Sequence, residues 1–251
     1  MDLGLSGCGV IVTGASKGLG RSAARALAAE GANVLAVART EASLDELAEE
    51  SFAGTIHPHV CDMRDRAQVA ALAGVAVERL GRLDVVVNNA GIAPAADFLE
   101  MHMAVFDEVM EVNVAAIAVL SQAAGRHFVE AGHGGRIINV VSTSGILGKA
   151  SLVAYSASKG AAIQLTKALA AEWARHDIQV NAIAPGAFAT EAQSYVTGNP
   201  EVLAKRVRKI PARRMAEPDE IGPLVCYLSS ASSKFVSGAV YVIDGGETAK
   251  Q

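Results

Sequence analysis

The sequence predicts an α/β fold: a single parallel sheet of about seven strands, wound in both directions from its middle and covered by helices on both faces. Three observations carry this expectation. Short Val- and Ile-rich runs alternate with longer stretches of helical period along most of the chain. These runs are rich in Val and Ile, as in strands buried on both faces. A glycine-rich turn joins the first run to the first helix. Crossovers between parallel strands are right-handed almost without exception, so such an alternation winds into a doubly wound sheet.

In order, residues 10–12 form the first strand, ending in Thr13-Gly14, and residues 21–30 an Ala-rich helix that Gly31 stops. Residues 34–38 are the second strand, 44–50 a helix, 56–60 the third strand and 67–80 a helix. Residues 84–87 form the fourth strand, followed by a long helical region to about Gly132 and a fifth strand over 136–141. Residues 151–176 read as one long helix, 178–183 as the sixth strand and 239–243 as the seventh. Residues 185–200 are a polar loop punctuated by Gly and Pro; long loops in such folds are often lids or binding loops. No repeat, linker or low-complexity tract divides the chain. The expectation is one domain over residues 1–251, with a substrate lid at about 187–210.

Composition narrows the function. With 51% hydrophobic and 19% charged residues the chain can bury a large core. A formal net charge of −4 gives no long-range attraction for nucleic acid or an anionic membrane, and no apolar run reaches a membrane span. Met1–Cys8 carries no basic start and runs straight into a strand pattern. Cys8, Cys61 and Cys226 are an odd, scattered set, which fits a reducing compartment better than a disulfide framework. The expected address is the cytoplasm.

Thr13-Gly14-Ala15-Ser16-Lys17-Gly18-Leu19-Gly20 lies between the first strand and the first helix. Glycines there let the backbone approach a pyrophosphate at a helix N-terminus, where free N–H groups favour anions. The spacing is Gly-x-x-x-Gly-x-Gly, not the general G-x-G-x-x-G fingerprint, and no Lys-Ser or Lys-Thr follows as in a Walker loop. The end of the second strand chooses the nucleotide: where NAD-binding units place an acidic residue, this chain reads Ala38-Arg39-Thr40. Arg39 and Lys17 flank the place of a 2′-phosphate, so NADP(H) is favoured and NAD(H) stays possible; the plainer reading of Arg39 is a solvated residue opening a helix. Asp62, after the third strand, is placed to bond the adenine amino group. Asn88, Asn89, Ala90 and Gly91 follow the fourth strand, lining the cofactor or forming a simple turn.

Tyr155 and Lys159 lie four apart near the start of the long helix, on one face. Free tyrosine, with a pKa near ~10, is a poor base. A lysine cation about 4 Å away contributes roughly 4 kcal/mol at an effective dielectric of about 20, or about three pKa units. Ser142, at the end of the fifth strand, can hold a substrate oxygen; Ser144 competes for that role, and Thr143 points to the opposite face if the strand continues.

With these pieces assembled, the sequence resembles the short-chain dehydrogenase/reductases in their compact branch, from about Gly7 to Gly246. The matching pieces are Thr13–Gly20, Asp62, Asn88–Gly91, Asn113, Ser142, Tyr155, Lys159, Pro185-Gly186 and Asp244-Gly245-Gly246. The resemblance implies a Rossmann-type sheet and a tetrad: Tyr155 exchanging the proton, Ser142 orienting the carbonyl, Lys159 lowering the tyrosine pKa and holding the nicotinamide ribose, Asn113 fixing a relay water. It places Met63 beside Asp62 in the cofactor site, Pro185-Gly186 beside the nicotinamide, and Thr190 on its amide or the phosphates. Two long helices, the second rich in small residues, are implied to pair copies into a homotetramer. Three residues between Tyr155 and Lys159 set the chain apart from the enoyl reductases, whose spacing is longer.

The expected activity is hydride transfer between NADP(H) and a small carbonyl or secondary-alcohol substrate. The alternatives are an NAD(H)-preferring dehydrogenase of a sugar or polyol, and a nucleotide-binding regulatory protein without turnover. A sugar-nucleotide epimerase would need a larger substrate domain and another glycine spacing. Three smaller readings remain. His57, His59 and Cys61 share a strand face without an evident fourth ligand, so no metal is expected. Lys205, Arg206, Arg208 and Lys209 read as a solvated helix face before an anion-attracting one. Residues 229–234 read as a turn.

Overall fold

The computed structural model describes residues 3–250; residues 1, 2 and 251 of the expected domain lie outside the described residues. Seven strands form one sheet: β1 (Gly9–Thr13), β2 (Asn33–Ala38), β3 (Thr55–Val60), β4 (Val85–Asn88), β5 (Gly135–Val140), β6 (Ile178–Pro185) and β7 (Val240–Ile243). Their spatial order is β3-β2-β1-β4-β5-β6-β7, and every pairing is parallel. The winding reverses between β1 and β4, so a crevice opens there at the C-terminal strand ends. Pro58 is tolerated because β3 lies at the sheet edge.

Alternation along β1 divides the core. Val10 and Val12 pack on one face with α1 (Gly18–Ala29), α2 (Glu41–Ala48) and α9 (Gly222–Ser229). Ile11 packs on the other with α3 (Arg66–Leu80) and α5 (Ala116–Ala131), where Leu72, Leu120 and Phe128 are fully buried. A smaller cluster seats α6 (Val153–Trp173) on β6 through Ala162, Ile163, Ala182 and Ala184. Among the described residues no helix is long and apolar enough to cross a membrane.

Several expected boundaries move, each for a local reason. α1 starts at Gly18, because the glycine loop itself forms the first helical turn. The region after β4 is extended up to α4 (Met103–Met110), which passes through a π-helical segment, Glu111–Ala115, into α5. α6 begins two residues after Ser151, whose φ is +63°. β5 ends at Val140, so Thr143 lies in a 3₁₀ turn, Thr143–Gly145, and not on the strand face expected for it. The polar stretch after β6 is not a bare loop: it holds a 3₁₀ turn (Glu191–Gln193), α7 (Ser194–Thr197) and α8 (Pro200–Val207), the last capped by the Asn199 side chain. Residues 229–234 comprise the end of α9 and a 3₁₀ turn, Ala231–Ser233.

Candidate active site

A cleft of about 1120 Å3 crosses the C-terminal strand ends, bordered by Arg39 and Asp62, the glycine loop, Ser142, Tyr155 and Arg206. The loop is shaped by steric need. A Cβ on Gly20 would stand 2.2 Å from the Gly14 carbonyl oxygen, and one on Gly14, at φ +68°, would stand 2.8 Å from Asn89 Nδ2. Asn89 does not simply line the cleft as expected: its Nδ2 donates to the carbonyls of Thr13 (3.0 Å) and Gly14 (3.3 Å), tying β4 to the loop. Thr13 Oγ1 accepts from the backbone N–H groups of Asn89 and Ala90 at 3.0 and 3.1 Å. Asn88 points into the core, donating to Asn139 Oδ1 at 2.9 Å. The N-terminus of α1 has neither a side-chain cap nor an acidic residue in its first turn. Its free N–H groups therefore fit a pyrophosphate, in a cradle a single Cβ would fill.

Ser16, Lys17, Gly18, Leu19, Met63, Ala90, Gly91, Pro185, Gly186 and Thr190 all border the same cleft. Gly20 does not; its part is steric. Thr190 sits over the loop, with its Cγ2 3.4 Å from where a Gly18 Cβ would be. Gly186 is pressed against Asp244, which leaves no room for a side chain. At the nucleotide-selecting corner Arg39 and Lys17 are exposed, and neither has an ion pair or side-chain hydrogen bond among the described residues. Asp62 is not a free acceptor as the adenine contact would suggest. Arg64 donates to it from Nε and Nη2 (2.6–3.1 Å) and from its backbone N–H, holding the carboxyl down at about 2. Arg64, which also reaches Glu108 at 3.4 Å, is a cleft residue the sequence reading missed.

At the other end, Lys159 is buried and its Nζ donates to the Val140 carbonyl at 2.8 Å. It lies 5.7 Å from the centre of the Tyr155 ring. Burial lowers the lysine to about 8 and raises Tyr155 above its ordinary value, with a hydrogen bond from Ser142 opposing that rise. This corrects the expectation of a depressed tyrosine. Desolvation disfavours the charge on both groups, so the phenol is a proton donor at neutral pH.

Ser142, not Ser144, meets the phenol. Its Oγ accepts from the Ser144 backbone N–H at 3.1 Å, capping the 3₁₀ turn. The turn presses onto α6 so closely that a Cβ on Gly145 would lie 2.6 Å from the Lys159 carbonyl carbon. Asn113 is fully buried in the π-helical segment and does not border the cleft. Both hydrogens of its amide are used, on the Ile92 carbonyl (2.9 Å) and Ser158 Oγ (3.0 Å), so those N–H groups are not available to the relay water the resemblance implied.

The lysine sets a pH expectation. Its folded pKa lies below the unfolded one, so its charge is present below about 8 and is lost as pH rises through that value. The kcat/KM for the dinucleotide, which reports groups of the free enzyme, should be flat near neutrality and fall above about 8. A Lys159→Met variant should lose that limb; a limb that persists in the variant assigns it elsewhere.

In the basic cluster after the loop Lys205, Arg208 and Lys209 are exposed, as expected of a solvated face, and Arg206 is half-buried. Arg206 forms a two-pronged pair with Glu247 at 2.6 and 2.7 Å, and Arg206, Lys209, Glu247 and Thr248 all border the cleft. Sequence reading named Arg206 and Lys209 but missed Glu247 and Thr248, because residues so far apart meet only in the fold. Of the His57/His59/Cys61 set, the His57 ring meets Thr55 Oγ1 at 3.0 Å, and burial pushes the Cys61 thiol up to about 11.

A glycine cradle, a doubly wound sheet and a Ser–Tyr–Lys cluster in one cleft define a dinucleotide-dependent oxidoreductase. Comparison with known proteins agrees. Residues 14–248 match the family described as enoyl-(acyl carrier protein) reductase. Gluconate 5-dehydrogenase of Gluconobacter oxydans is 38% identical, across 97% of this chain and 96% of its own. Galactitol 2-dehydrogenase (L-tagatose-forming) of Cereibacter sphaeroides is 40% identical, across 97% and 96%. The crystal structure of a gluconate 5-dehydrogenase from Burkholderia cenocepacia in complex with NADP and tartrate matches with a TM-score of 0.91 and 34% identity, covering 98% of this chain and 97% of that one. The chain belongs to the short-chain dehydrogenase/reductases.

Proposed function

We propose that this protein moves a hydride between NADP(H) and the carbonyl or secondary alcohol of a small polyhydroxylated substrate, a sugar acid or polyol, within one domain over residues 1–251. The Ser142–Tyr155–Lys159 cluster, set in one cleft with the glycine cradle, carries the reading. The bound dinucleotide supplies the hydride in reduction and accepts it in oxidation. Ser142 holds the substrate oxygen, and the protonated Tyr155 hydroxyl gives its proton to that oxygen as the C–H bond forms. Lys159 charges the pocket and is placed for the nicotinamide ribose. Arg39 and Lys17 take the 2′-phosphate, and residues 187–210 act as the lid over the substrate. The polyhydroxylated class rests on the relatives named above and on the polar, charged side chains at the substrate end, Arg206, Lys209 and Lys149. The three-residue spacing between Tyr155 and Lys159 speaks against enoyl reduction, despite the description of the matching family.

The test is a panel of simple ketones, 3-oxoacyl thioesters, keto sugar acids and ketoses scored by NADPH oxidation. Turnover concentrated on the last two groups is expected; turnover confined to thioesters refutes the substrate class.

The reading includes a homotetramer in the cytoplasm. Apolar side chains that stay exposed include Met103, Val129 and Val153 on α4, α5 and α6, Phe235, and Val242 on β7, the last strand of the sheet. A tetramer with two-fold axes would cover such side chains at self-complementary contacts. Light scattering at micromolar concentration should give four times the 25.8 kDa chain mass; a monomer refutes the assembly.

A further inference from the structure

We propose that Ser158 is a positioning residue that fixes the spacing between Tyr155 and Lys159. The inference rests on the reading of Tyr155 as the proton donor. Ser158 is fully buried and stands one residue before Lys159 and three after Tyr155. Its hydroxyl donates to the Tyr155 carbonyl at 2.7 Å. A helical serine often makes such a backward bond and nothing more. Here the same oxygen also accepts from Asn113 Nδ2 at 3.0 Å, across to the π-helical segment.

Asn113 is in turn clamped in both directions on Ile92: its Nδ2 donates to the Ile92 carbonyl and its Oδ1 accepts the Ile92 N–H, each at 2.9 Å. Next to Ile92, a Cβ on Gly91 would be 3.1 Å from Asn113 Oδ1 and 3.4 Å from Lys159 Nζ. Lys159 Nζ is anchored to Val140, two residues before Ser142, whose hydroxyl favours the charged form of the Tyr155 phenol. A chain of hydrogen bonds therefore runs from the Tyr155 backbone through Ser158 and Asn113 to Ile92, while Lys159 Nζ, close to Gly91, is bonded to the end of β5 near Ser142. Ser158 bonds the helix backbone carrying both functional side chains to the π-helical segment opposite. Without it, the turn from Tyr155 to Lys159 keeps the Lys149 N–H to Ser156 Oγ bond and the close packing of the 143–145 turn, but loses that tie across to Asn113.

α6 contains a matched control. Thr166, also fully buried, donates to the Ala162 carbonyl at 2.8 Å and accepts from Asn139 Nδ2 at 2.9 Å, two turns further from the site. Ser158→Ala and Thr166→Val each delete one such hydroxyl while keeping a closely similar shape. Ser158→Ala should lower kcat more than tenfold with KM for both substrates changed less than twofold. It should also move the alkaline limb of the pH profile upward, because a less tightly held ammonium regains water. Thr166→Val should keep kcat within twofold and leave the limb in place. A loss of less than tenfold in Ser158→Ala, an unmoved limb, or an equal loss in Thr166→Val overturns the proposal. If Ser158→Ala does not fold, Ser158→Cys, with its weaker donor, is held to the same criteria. Tyr155→Phe in the same series separates the two claims: an active Phe variant sinks the underlying reading, whereas an inactive one beside a normal Ser158→Ala sinks only this inference.

Discussion

Tyr155→Phe is expected to lower kcat by about 10²–10⁴-fold, the range a positioned acid or base contributes, while the Kd for NADPH stays within about twofold. The phenyl ring keeps the packing of Tyr155 and removes one hydroxyl, the group that Ser142 bonds. In the free protein burial raises the phenol and lowers the lysine, so near neutrality the site holds a neutral acid beside a lysine still largely charged. That arrangement suits proton donation to a developing alkoxide, hence reduction; oxidation needs the opposite state and should run best at higher pH. Fluorescence titration with NADPH gives the affinity, and steady-state assay on the best substrate of the panel gives kcat. A variant that keeps more than a tenth of the wild-type kcat removes Tyr155 from the role of acid.

How much of this was legible beforehand differs between sheet and site. The strands announced themselves because β1, β4 and β6 are buried from end to end, and strands buried on both faces are mostly apolar, rich in Val, Ile and Ala. α9 escaped notice: Pro223 and Gly222 at its start look like a turn, although proline is well tolerated in a first helical turn. The sequence suggested a helix face around Lys205–Lys209 but not the start of α8 at Pro200, which follows a stretch that reads as loop and depends on one cap, Asn199, whose Oδ1 accepts from the Glu201 and Val202 N–H groups. Within the site, residue identities were readable and their electrostatics were not. The expected three-unit drop at Tyr155 followed from a pairwise attraction, but the outcome turns on how much water each group loses, which only the packed structure shows. Asn89 and Asn113 were similarly ambiguous, because an amide lining a ligand and an amide stapling two loops have the same sequence.

The second large effect concerns the nucleotide. Ala38→Asp combined with Arg39→Leu should convert a preference for NADPH into one for NADH. Ala38 and Arg39 both border the cleft at the end of β2, and among the described residues neither Arg39 nor Lys17 has an ion pair or side-chain hydrogen bond to give up on binding a phosphate, although Arg39 helps to hold the Asp62 carboxyl down. A charge-assisted contact to phosphate contributes on the order of 1.5–3 kcal/mol, or roughly tenfold to a hundredfold in affinity. Losing the arginine removes that gain for NADPH alone, and a carboxylate at position 38 adds repulsion against the 2′-phosphate while offering an acceptor to the ribose hydroxyls of NADH. The combined swing in the kcat/KM ratio should therefore approach about a hundredfold, with each single variant near tenfold. Asp62 does not substitute for the new carboxylate, since its charge is already held by Arg64. Glu41, exposed in the first turn of α2, opposes the phosphate only if it turns toward the ribose, and Glu41→Gln should then strengthen NADPH binding. Parallel assays with both dinucleotides decide the matter. A wild-type protein that already prefers NADH overturns the role given to Arg39, yet the proton chemistry of Tyr155 stands apart from it, because phosphate selection and proton donation occur at opposite ends of the cleft.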